Sequence, residues 1–208
     1  MGSGNTWNAI FHNRIVIADA SMRYKHVILD RDGVLNREAD DGGYVLDPSQ
    51  FFWLPGALEA LAMLRRAGVY LSVATNQSGV GRGLMTVAQL EAVHARMRAE
   101  AARSGATLDT VVFCPHTPEA QCACRKPAPG LIHEALSRSG IPAQESLVVG
   151  DAWRDLEAAS RTGVKAALVR TGKGRETERL LYGAEVPIYD DLPQLAHAIL
   201  SLNEHRVI

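Results

Sequence analysis

The sequence lacks the features that direct a protein into or across a membrane. None of its apolar runs approaches the about 20 residues that a membrane-spanning helix needs. A signal-peptide pattern is also missing, because charged residues interrupt the apolar ones near the N-terminus: Arg14, Asp19, Arg23 and Lys25. We therefore expect a cytoplasmic protein without a membrane partner.

An excess of charge of one sign is also missing. The chain has 22 Lys and Arg against 23 Asp and Glu, a formal net charge of −1. This balance argues against a broad nucleic-acid-binding face and leaves room only for a local basic pocket. With no internal repeat or low-complexity tract, residues 22–208 are predicted to form a single domain. Residues 1–21 are predicted to be an N-terminal extension, either a tag or a segment outside the core, with a short strand at 15–17 as the alternative.

Cysteine is scarce, and an odd number of three is a poor fit to a disulfide framework. The three cysteines and one histidine nevertheless lie together, as Cys114, His116, Cys122 and Cys124. Three thiolates and one imidazole suit tetrahedral zinc, and four protein ligands leave no open position for catalysis. We predict a structural zinc site that fixes the following loop, 125–126. The alternative is three unrelated reduced cysteines beside a surface histidine.

After residue 24 the chain alternates apolar runs with helical patterns. Six strands are predicted, at 25–30, 69–74, 109–113, 146–149, 166–169 and 186–189. Helical patterns lie between them, at 58–67, 86–104, 130–139 and 155–161, and a last one runs through Leu195 and Ile199. The alternation predicts a Rossmann-like, doubly wound α/β fold with a mainly parallel sheet and helices on both faces. Between Asn36 and Pro55 there is room for little or no cap domain.

Polar residues follow several of these strands. Asp30 and Asp32 follow the first, Thr75 and Asn76 end the second, and Asp151 follows the fourth. Because the carboxyl ends of parallel strands share one edge of the sheet, these side chains are expected to converge.

The converging residue types suit phosphoryl chemistry. Carboxylates can hold Mg²⁺ through oxygen, and one of them can attack phosphorus. Thr75 can donate a hydrogen bond to a phosphoryl oxygen, and Lys126 can neutralise the charge that spreads over these oxygens. Taken singly, Thr75 is better explained as an ordinary turn residue and Lys126 as a solvated lysine. The occurrence of all these residues in this order favours the phosphoryl site instead.

Four segments in order resemble the motifs of the haloacid-dehalogenase superfamily. They are DRDGVLN (30–36), TNQSGVGRG (75–83), CRKP (124–127) and VGDAWRD (149–155). The set looks like the branch that contains the heptose 1,7-bisphosphate phosphatases, with the histidinol-phosphate phosphatases as near relatives. The resemblance covers about residues 25–190.

The resemblance implies a role for each matching residue. Asp30 matches the nucleophile that forms an aspartyl-phosphate, and Asp32 matches the general acid and base. Asp30, Asp151 and the backbone carbonyl of Asp32 match the Mg²⁺ ligands. Thr75 and Lys126 match the groups that hold the transferring phosphoryl group. The role of Asp155 stays open, since a carboxylate near a helix N-terminus often has only a structural role.

The resemblance also implies a set of substrate-binding residues in three loops: Asp41, Gly42, Gly43, Tyr44, Asn76, Gln77, Ser78 and Arg125. The implied activity is removal of the 7-phosphate from D-glycero-D-manno-heptose 1,7-bisphosphate, a small phosphorylated sugar, by an enzyme with Mg²⁺ and structural Zn²⁺. The sequence does not encode an oligomeric state legibly, and a monomer is the default expectation. Alternatives are a histidinol-phosphate or broader sugar-phosphate phosphatase and a non-catalytic zinc-loop interaction module.

Overall fold

The computed structural model describes residues 24–39, 43–181 and 185–204. Within them, six strands form one sheet: β1 His26–Leu29, β2 Tyr70–Asn76, β3 Thr110–Cys114, β4 Ser146–Gly150, β5 Lys165–Val169 and β6 Ile188–Tyr189. All neighbouring strands pair in parallel, in the order β3-β2-β1-β4-β5-β6. The six predicted strands are thus confirmed, with ends that shift by at most two residues. The predictions for residues 1–21 lie outside the described residues.

In the same described ranges, six α-helices connect or flank the strands: α1 Ala57–Arg66, α2 Val87–Arg103, α3 Gly130–Ser139, α4 Trp153–Thr162, α5 Gly174–Leu180 and α6 Leu192–Glu204. Helix α2 starts with a capping box, in which Thr86 Oγ1 accepts a hydrogen bond from Gln89 N at 3.2 Å. Helix α5 was not predicted, because its seven residues are polar up to the last and carry no apolar period. None of the described helices is long and apolar enough to cross a membrane.

The central strand has apolar side chains on both of its faces. Val27 and Leu29 point to one face, where they pack with residues of α1, α2 and α6, while Ile28 packs on the other with α3 and α4. Buried on both sides, residues 27–29 are a continuous apolar run, as parallel strands are when helices cover the sheet. The doubly wound α/β fold is therefore confirmed.

The order of the strands reverses at the centre of the sheet. Strands β1 and β4 lie side by side there, with Leu29 opposite Val149. In open α/β sheets the ligand crevice lies outside the carboxyl ends of the strands at this switch point. Asp30 and Asp151, which follow β1 and β4, therefore stand where a ligand is expected.

Little structure covers this end of the sheet on the side of the first crossover. The described residues between Asn36 and Gly56 contain one 3-10 turn, Pro48–Gln50, and a bridge from Asn36 to Trp53. Phe51 is buried and anchors the segment to the core. This agrees with the prediction of little or no cap.

Candidate active site

A buried lysine joins two carboxylates at the centre of the site. Lys126, in the loop between β3 and α3, has its Nζ 3.1 Å from Asp30 Oδ1 and 2.6 Å from Asp155 Oδ1. It also donates a hydrogen bond to the Ala74 carbonyl at 2.7 Å. Burial alone lowers the pKa of an amine, but Asp155 and Asp30 outweigh it and raise the pKa of Lys126 above its usual value. The lysine is therefore a fixed cation beside Asp30.

Three carboxylates crowd the same point and suit a divalent cation. The ligand oxygens of Asp30, Asp151 and Asp155 lie within 4.8 Å of one another. Asp151 Oδ1 is buried and has no hydrogen-bond partner among the described residues. Burial, followed by the charges of Asp30 and Asp155, raises the pKa of Asp151 to about 8. An unpartnered buried oxygen amid excess negative charge fits a hard cation with oxygen ligands, such as Mg²⁺.

The second acidic residue of the motif at 30–36 is held by polar neighbours. Asp32 accepts hydrogen bonds from Arg31 Nη2 at 3.0 Å, Asn36 Nδ2 at 2.9 Å and Gln77 Nε2 at 2.7 Å. Burial on its own raises the pKa of Asp32, but the Arg31 charge and the hydrogen bonds bring it below its usual range. Its side chain is 26% exposed, more than that of Asp30 at 4%. Asp32 is therefore more exposed than Asp30, and its carboxyl group ionises more readily than that of an ordinary aspartate.

The arginine that holds Asp32 is itself buried. The Arg31 side chain is 0% exposed, and its Nη1 lies 3.2 Å from Nε2 of the buried His94. Burial, with the charge of Arg31 next, lowers the pKa of His94 to about 3, so this imidazole is neutral and can accept the hydrogen bond. Arg31 therefore has hydrogen-bond partners on either side, Asp32 and His94.

Two loops meet at the rim of the site. The Tyr44 hydroxyl lies 3.0 Å from Ser78 Oγ and accepts a hydrogen bond from Arg82 Nε at 3.0 Å. Gly79 leaves the space that the ring of Tyr44 fills, since a Cβ there would lie 3.2 Å from Tyr44 Cγ. The contact ties the segment around residue 44 to the loop that follows β2.

Beside this rim lies the cluster of sulfur and nitrogen ligands. The ligand atoms of Cys114, His116, Cys122 and Cys124 lie within 4.8 Å of one another, and the cysteines are free thiols. The Sγ atoms of Cys114 and Cys124 are 3.0 Å apart, and those of Cys122 and Cys124 are 3.4 Å apart. These separations are too long for a disulfide, about 2.05 Å. Three sulfurs and one nitrogen converging in this way fit tetrahedral zinc.

The cluster lies next to the loop that presents Lys126. The side-chain amide of Asn76 donates to the Lys126 carbonyl at 2.9 Å and accepts from its N–H at 3.1 Å. Arg125, which follows Cys124 directly, donates from Nη1 to the His116 carbonyl at 3.2 Å. The loop that carries Lys126 is therefore held by Asn76 of β2 at Lys126 and by the backbone of the cluster residue His116 at Arg125.

Comparisons with known proteins agree with this geometry. A family model described as HAD-hydrolase-like matches residues 123–195. The D-glycero-beta-D-manno-heptose-1,7-bisphosphate 7-phosphatase of Neisseria meningitidis serogroup A is 40% identical over 183 residues, 86% of this chain and 96% of the relative. The chain belongs to the D-glycero-D-manno-heptose 1,7-bisphosphate 7-phosphatase family. The family resemblance predicted from the motifs is thereby confirmed.

Other members of the family extend the comparison. A D-glycero-alpha-D-manno-heptose-1,7-bisphosphate 7-phosphatase of Mycobacterium tuberculosis is 43% identical over 143 residues, 67% of this chain and 74% of the relative. The crystal structure of a D,D-heptose 1,7-bisphosphate phosphatase from Bordetella bronchiseptica, complexed with magnesium and phosphate, has a TM-score of 0.79. It is 40% identical and covers 85% of this chain and 98% of that one.

Most of the residues predicted as catalytic or metal-binding lie together. Asp30, Asp151 and Lys126 form the charged centre described above, and Asp32 is joined to Thr75 through Gln77, whose Nε2 donates to both. The distance from Gln77 Nε2 to Thr75 Oγ1 is 2.9 Å, which leaves the hydroxyl hydrogen of Thr75 for another acceptor.

The predicted substrate-binding residues divide into two groups. Tyr44, Ser78 and Arg125 lie at the rim, near the cysteine cluster or the loop after β2. Asn76 and Gln77 instead use their amides internally, the first on the Lys126 backbone and the second on Arg31, Thr75 and Asp32. Gly43 is exposed, and the predictions for Asp41 and Gly42 lie outside the described residues.

Sequence reasoning missed three contributors to the site. Asp155, whose role was left open, is fully buried against Lys126. Arg154 lies near the acidic cluster: burial lowers its pKa, but the charges of Asp155, Asp30 and Asp151 together outweigh burial and raise the pKa above its usual value. The segment Thr171–Lys173 contacts Asp151. This segment could have been predicted from the sequence, because it follows the carboxyl end of β5 just as Asp30 and Asp151 follow the carboxyl ends of β1 and β4.

Proposed function

We propose that the protein is a Mg²⁺-dependent phosphomonoesterase that removes the 7-phosphate of D-glycero-D-manno-heptose 1,7-bisphosphate, a step in the synthesis of nucleotide-activated heptose. One observation carries the reaction type: a buried carboxylate, Asp30, lies 3.1 Å from the Lys126 ammonium and within 4.8 Å of the Asp151 and Asp155 carboxylates. A nucleophile placed beside a cation and a set of oxygen ligands suits attack on phosphorus. The relatives support the substrate.

In the first step, an oxygen of Asp30 attacks phosphorus, and the bond from phosphorus to the sugar C7 oxygen breaks. The product is an aspartyl-phosphate, and the leaving alkoxide takes its proton from Asp32. Thr75 donates a hydrogen bond to a phosphoryl oxygen while Lys126 offsets the charge that develops on these oxygens.

In the second step, water attacks the phosphorus of the aspartyl-phosphate and loses its proton to Asp32. The bond from phosphorus to the Asp30 oxygen breaks, so inorganic phosphate leaves and the Asp30 carboxylate is restored. The charge and hydrogen bonds around Asp32 lower its pKa, so it gives its proton readily to the alkoxide of the first step and enters the second step as the carboxylate that accepts this proton.

Two metals belong to the proposal. Asp30 and Asp151, with the backbone carbonyl of Asp32, would hold Mg²⁺, which supplies positive charge between the carboxylates and the phosphate. Cys114, His116, Cys122 and Cys124 would hold a structural Zn²⁺ that fixes the loop of Lys126. Arg125, on the same loop, is proposed to bind the second phosphate, for which a planar guanidinium is suited.

A phosphate-release assay tests the substrate. Both anomers of heptose 1,7-bisphosphate and histidinol phosphate are compared, because the relatives act, by name, on either anomer. We expect one phosphate released per bisphosphate, with heptose 1-phosphate as the other product. A preference for histidinol phosphate would refute the heptose assignment and leave the reaction type standing. No release from any of these or from other sugar phosphates would favour a non-catalytic zinc-loop module.

Two further sequence predictions stay predictions: the cytoplasmic location and the monomeric state. Sedimentation of the purified protein checks the second.

A further inference from the structure

The segment that follows β5 holds one oxygen of a carboxylate in the proposed metal site. The backbone N–H of Lys173 donates to Asp151 Oδ2 at 2.8 Å. The other oxygen, Oδ1, is buried and has no hydrogen-bond partner in the described part of the chain. The two oxygens of Asp151 are therefore unequal: one is fixed by the protein, and the other is left for a ligand.

Two glycines enclose the fixed oxygen. A Cβ on Gly33 would lie 2.2 Å from Asp151 Oδ2, and one on Gly172 would lie 2.1 Å from it. Both glycines have positive φ, +86° and +54°. Since real Cβ atoms do not approach another heavy atom so closely, the carboxylate occupies a space that only two glycines leave open.

Two threonine hydroxyls fasten this segment to the site. Thr171 Oγ1 donates to the Gly33 carbonyl at 2.6 Å, and Thr177 Oγ1 donates to the Asp151 carbonyl at 2.8 Å. Gly33 follows Asp30 and Asp32 in the loop after β1. The segment after β5 therefore connects the loop after β1 to the loop after β4, and so sets Asp151 relative to Asp30.

We propose that Thr171–Lys173 is a positioning element for the divalent cation, which holds Asp151 by Oδ2 so that Oδ1 is presented to the metal beside Asp30. This inference rests on the proposed function, in which Asp151 is a Mg²⁺ ligand. Groups that orient a metal-ligating carboxylate commonly change metal affinity about 10- to 100-fold when they are removed.

The test is the variant Gly172→Ala, studied by calorimetric titration of the full-length protein with Mg²⁺ alone. The added methyl group must displace the Asp151 carboxylate, so we expect Mg²⁺ binding to weaken about ten-fold or more. Turnover at subsaturating Mg²⁺ falls in parallel, and it recovers at high Mg²⁺ because none of the reacting groups has changed.

Gly140→Ala is the matched control. Gly140 ends α3 with a φ of +67°, and a Cβ there meets nothing within 4 Å. The control therefore carries the backbone strain of alanine at positive φ without any contact to the site. We expect thermal unfolding to shift in both variants and Mg²⁺ affinity to change only in Gly172→Ala.

Wild-type Mg²⁺ affinity in Gly172→Ala would overturn the inference, as would an equal loss of affinity in Gly140→Ala. If Gly172→Ala does not fold, Thr171→Val replaces it, since it removes only the hydroxyl that binds the Gly33 carbonyl. Weakened Mg²⁺ binding that is restored in Thr171→Ser supports the inference, and unchanged binding in Thr171→Val overturns it. A wild-type protein that binds no Mg²⁺ would refute the metal site of the proposed function and the inference with it, so the two failures are told apart by the wild-type titration.

Discussion

Strand β1 buries polar side chains at both ends, in opposite ways. At its amino end, His26 Nε2 lies 2.7 Å from Ser72 Oγ, and its Nδ1 lies 3.1 Å from Ser139 Oγ. These groups are neutral, since burial lowers the pKa of His26 to about 4. Beyond its carboxyl end, Asp30 and Asp151 are crowded carboxylates, and one oxygen of Asp151 has no partner among the described residues.

The difference separates a structural cluster from a binding site. Neutral groups that satisfy one another need nothing from outside the protein. Crowded carboxylates with an unpartnered oxygen are costly unless a cation or a proton joins them. Polar groups are buried at both ends of β1, so burial does not distinguish the binding site. The distinguishing feature of the carboxyl end is buried negative charge that the protein leaves partly unpaired.

The largest expected effect comes from the carboxyl end. Asp30→Asn removes the nucleophile and should lower turnover by about 10⁴-fold or more, by analogy with the loss of a catalytic nucleophile in other hydrolases. The fold should remain, because the change removes a buried like charge near Asp151. Phosphate release and thermal unfolding measure the two effects. Retained turnover would refute the aspartyl-phosphate mechanism.

Removing the buried cation at this end, Lys126, should have the next largest effect, and that effect should be on stability. Lys126→Met leaves Asp30 and Asp155 without their buried partner and should lower the free energy of unfolding by about 3–5 kcal/mol. Denaturant titration measures it. Adding Asp155→Asn to the variant should recover part of the loss, since it removes one of the two unpaired charges. If Lys126→Met alone is as stable as the wild type, the ion pairs of Lys126 with Asp30 and Asp155 do not stabilise the folded protein.

The stability contributed by the amino end of β1 should depend on pH and not on bound metal. Because the pKa of His26 in the folded protein is about 4 and its ordinary value is 6.5, its contribution to stability is present above pH 6.5. It is lost as the pH falls toward 4, by about 3 kcal/mol for a shift of this size. His26→Gln should lose correspondingly less stability over this range while keeping its turnover at pH 7 within about two-fold. Equal pH dependence of unfolding in both proteins would contradict the neutral cluster.

The cysteine cluster should give a partial effect on the reaction, far smaller than loss of the nucleophile Asp30. Cys122→Ser removes one of four ligands, so zinc content should fall from about one ion per chain, and kcat/KM should fall about ten-fold through the loosened loop of Lys126. Metal analysis and phosphate release measure these changes. Asp30 is untouched, which is why the loss is partial. Full activity in a stably folded, zinc-free protein would refute the structural role.

The parts of the candidate site that could be predicted are those whose residues directly follow a strand or are close to one another in the sequence. Asp30 and Asp151 were found because each directly follows an apolar strand, and four cysteine-cluster ligands because they are close in sequence. The resemblance then suggested a role for each. The substrate-binding role of Gln77 stays a prediction; the structure buries this residue between Arg31, Thr75 and Asp32, and its side-chain amide is hydrogen-bonded to all three.

The succession of strands and helices, and the residues that follow each strand, can be predicted from the amino-acid sequence alone. These depend on the period of apolar side chains and on turn residues, which are properties of neighbouring positions. The contacts between residues at different strand ends become visible only in the folded chain. The approach of Gly33 and Gly172 to Asp151, and the burial of Lys126 between Asp30 and Asp155, join positions far apart in the chain. Such contacts follow from how the strands are ordered in the sheet, and no local pattern in the sequence records that order.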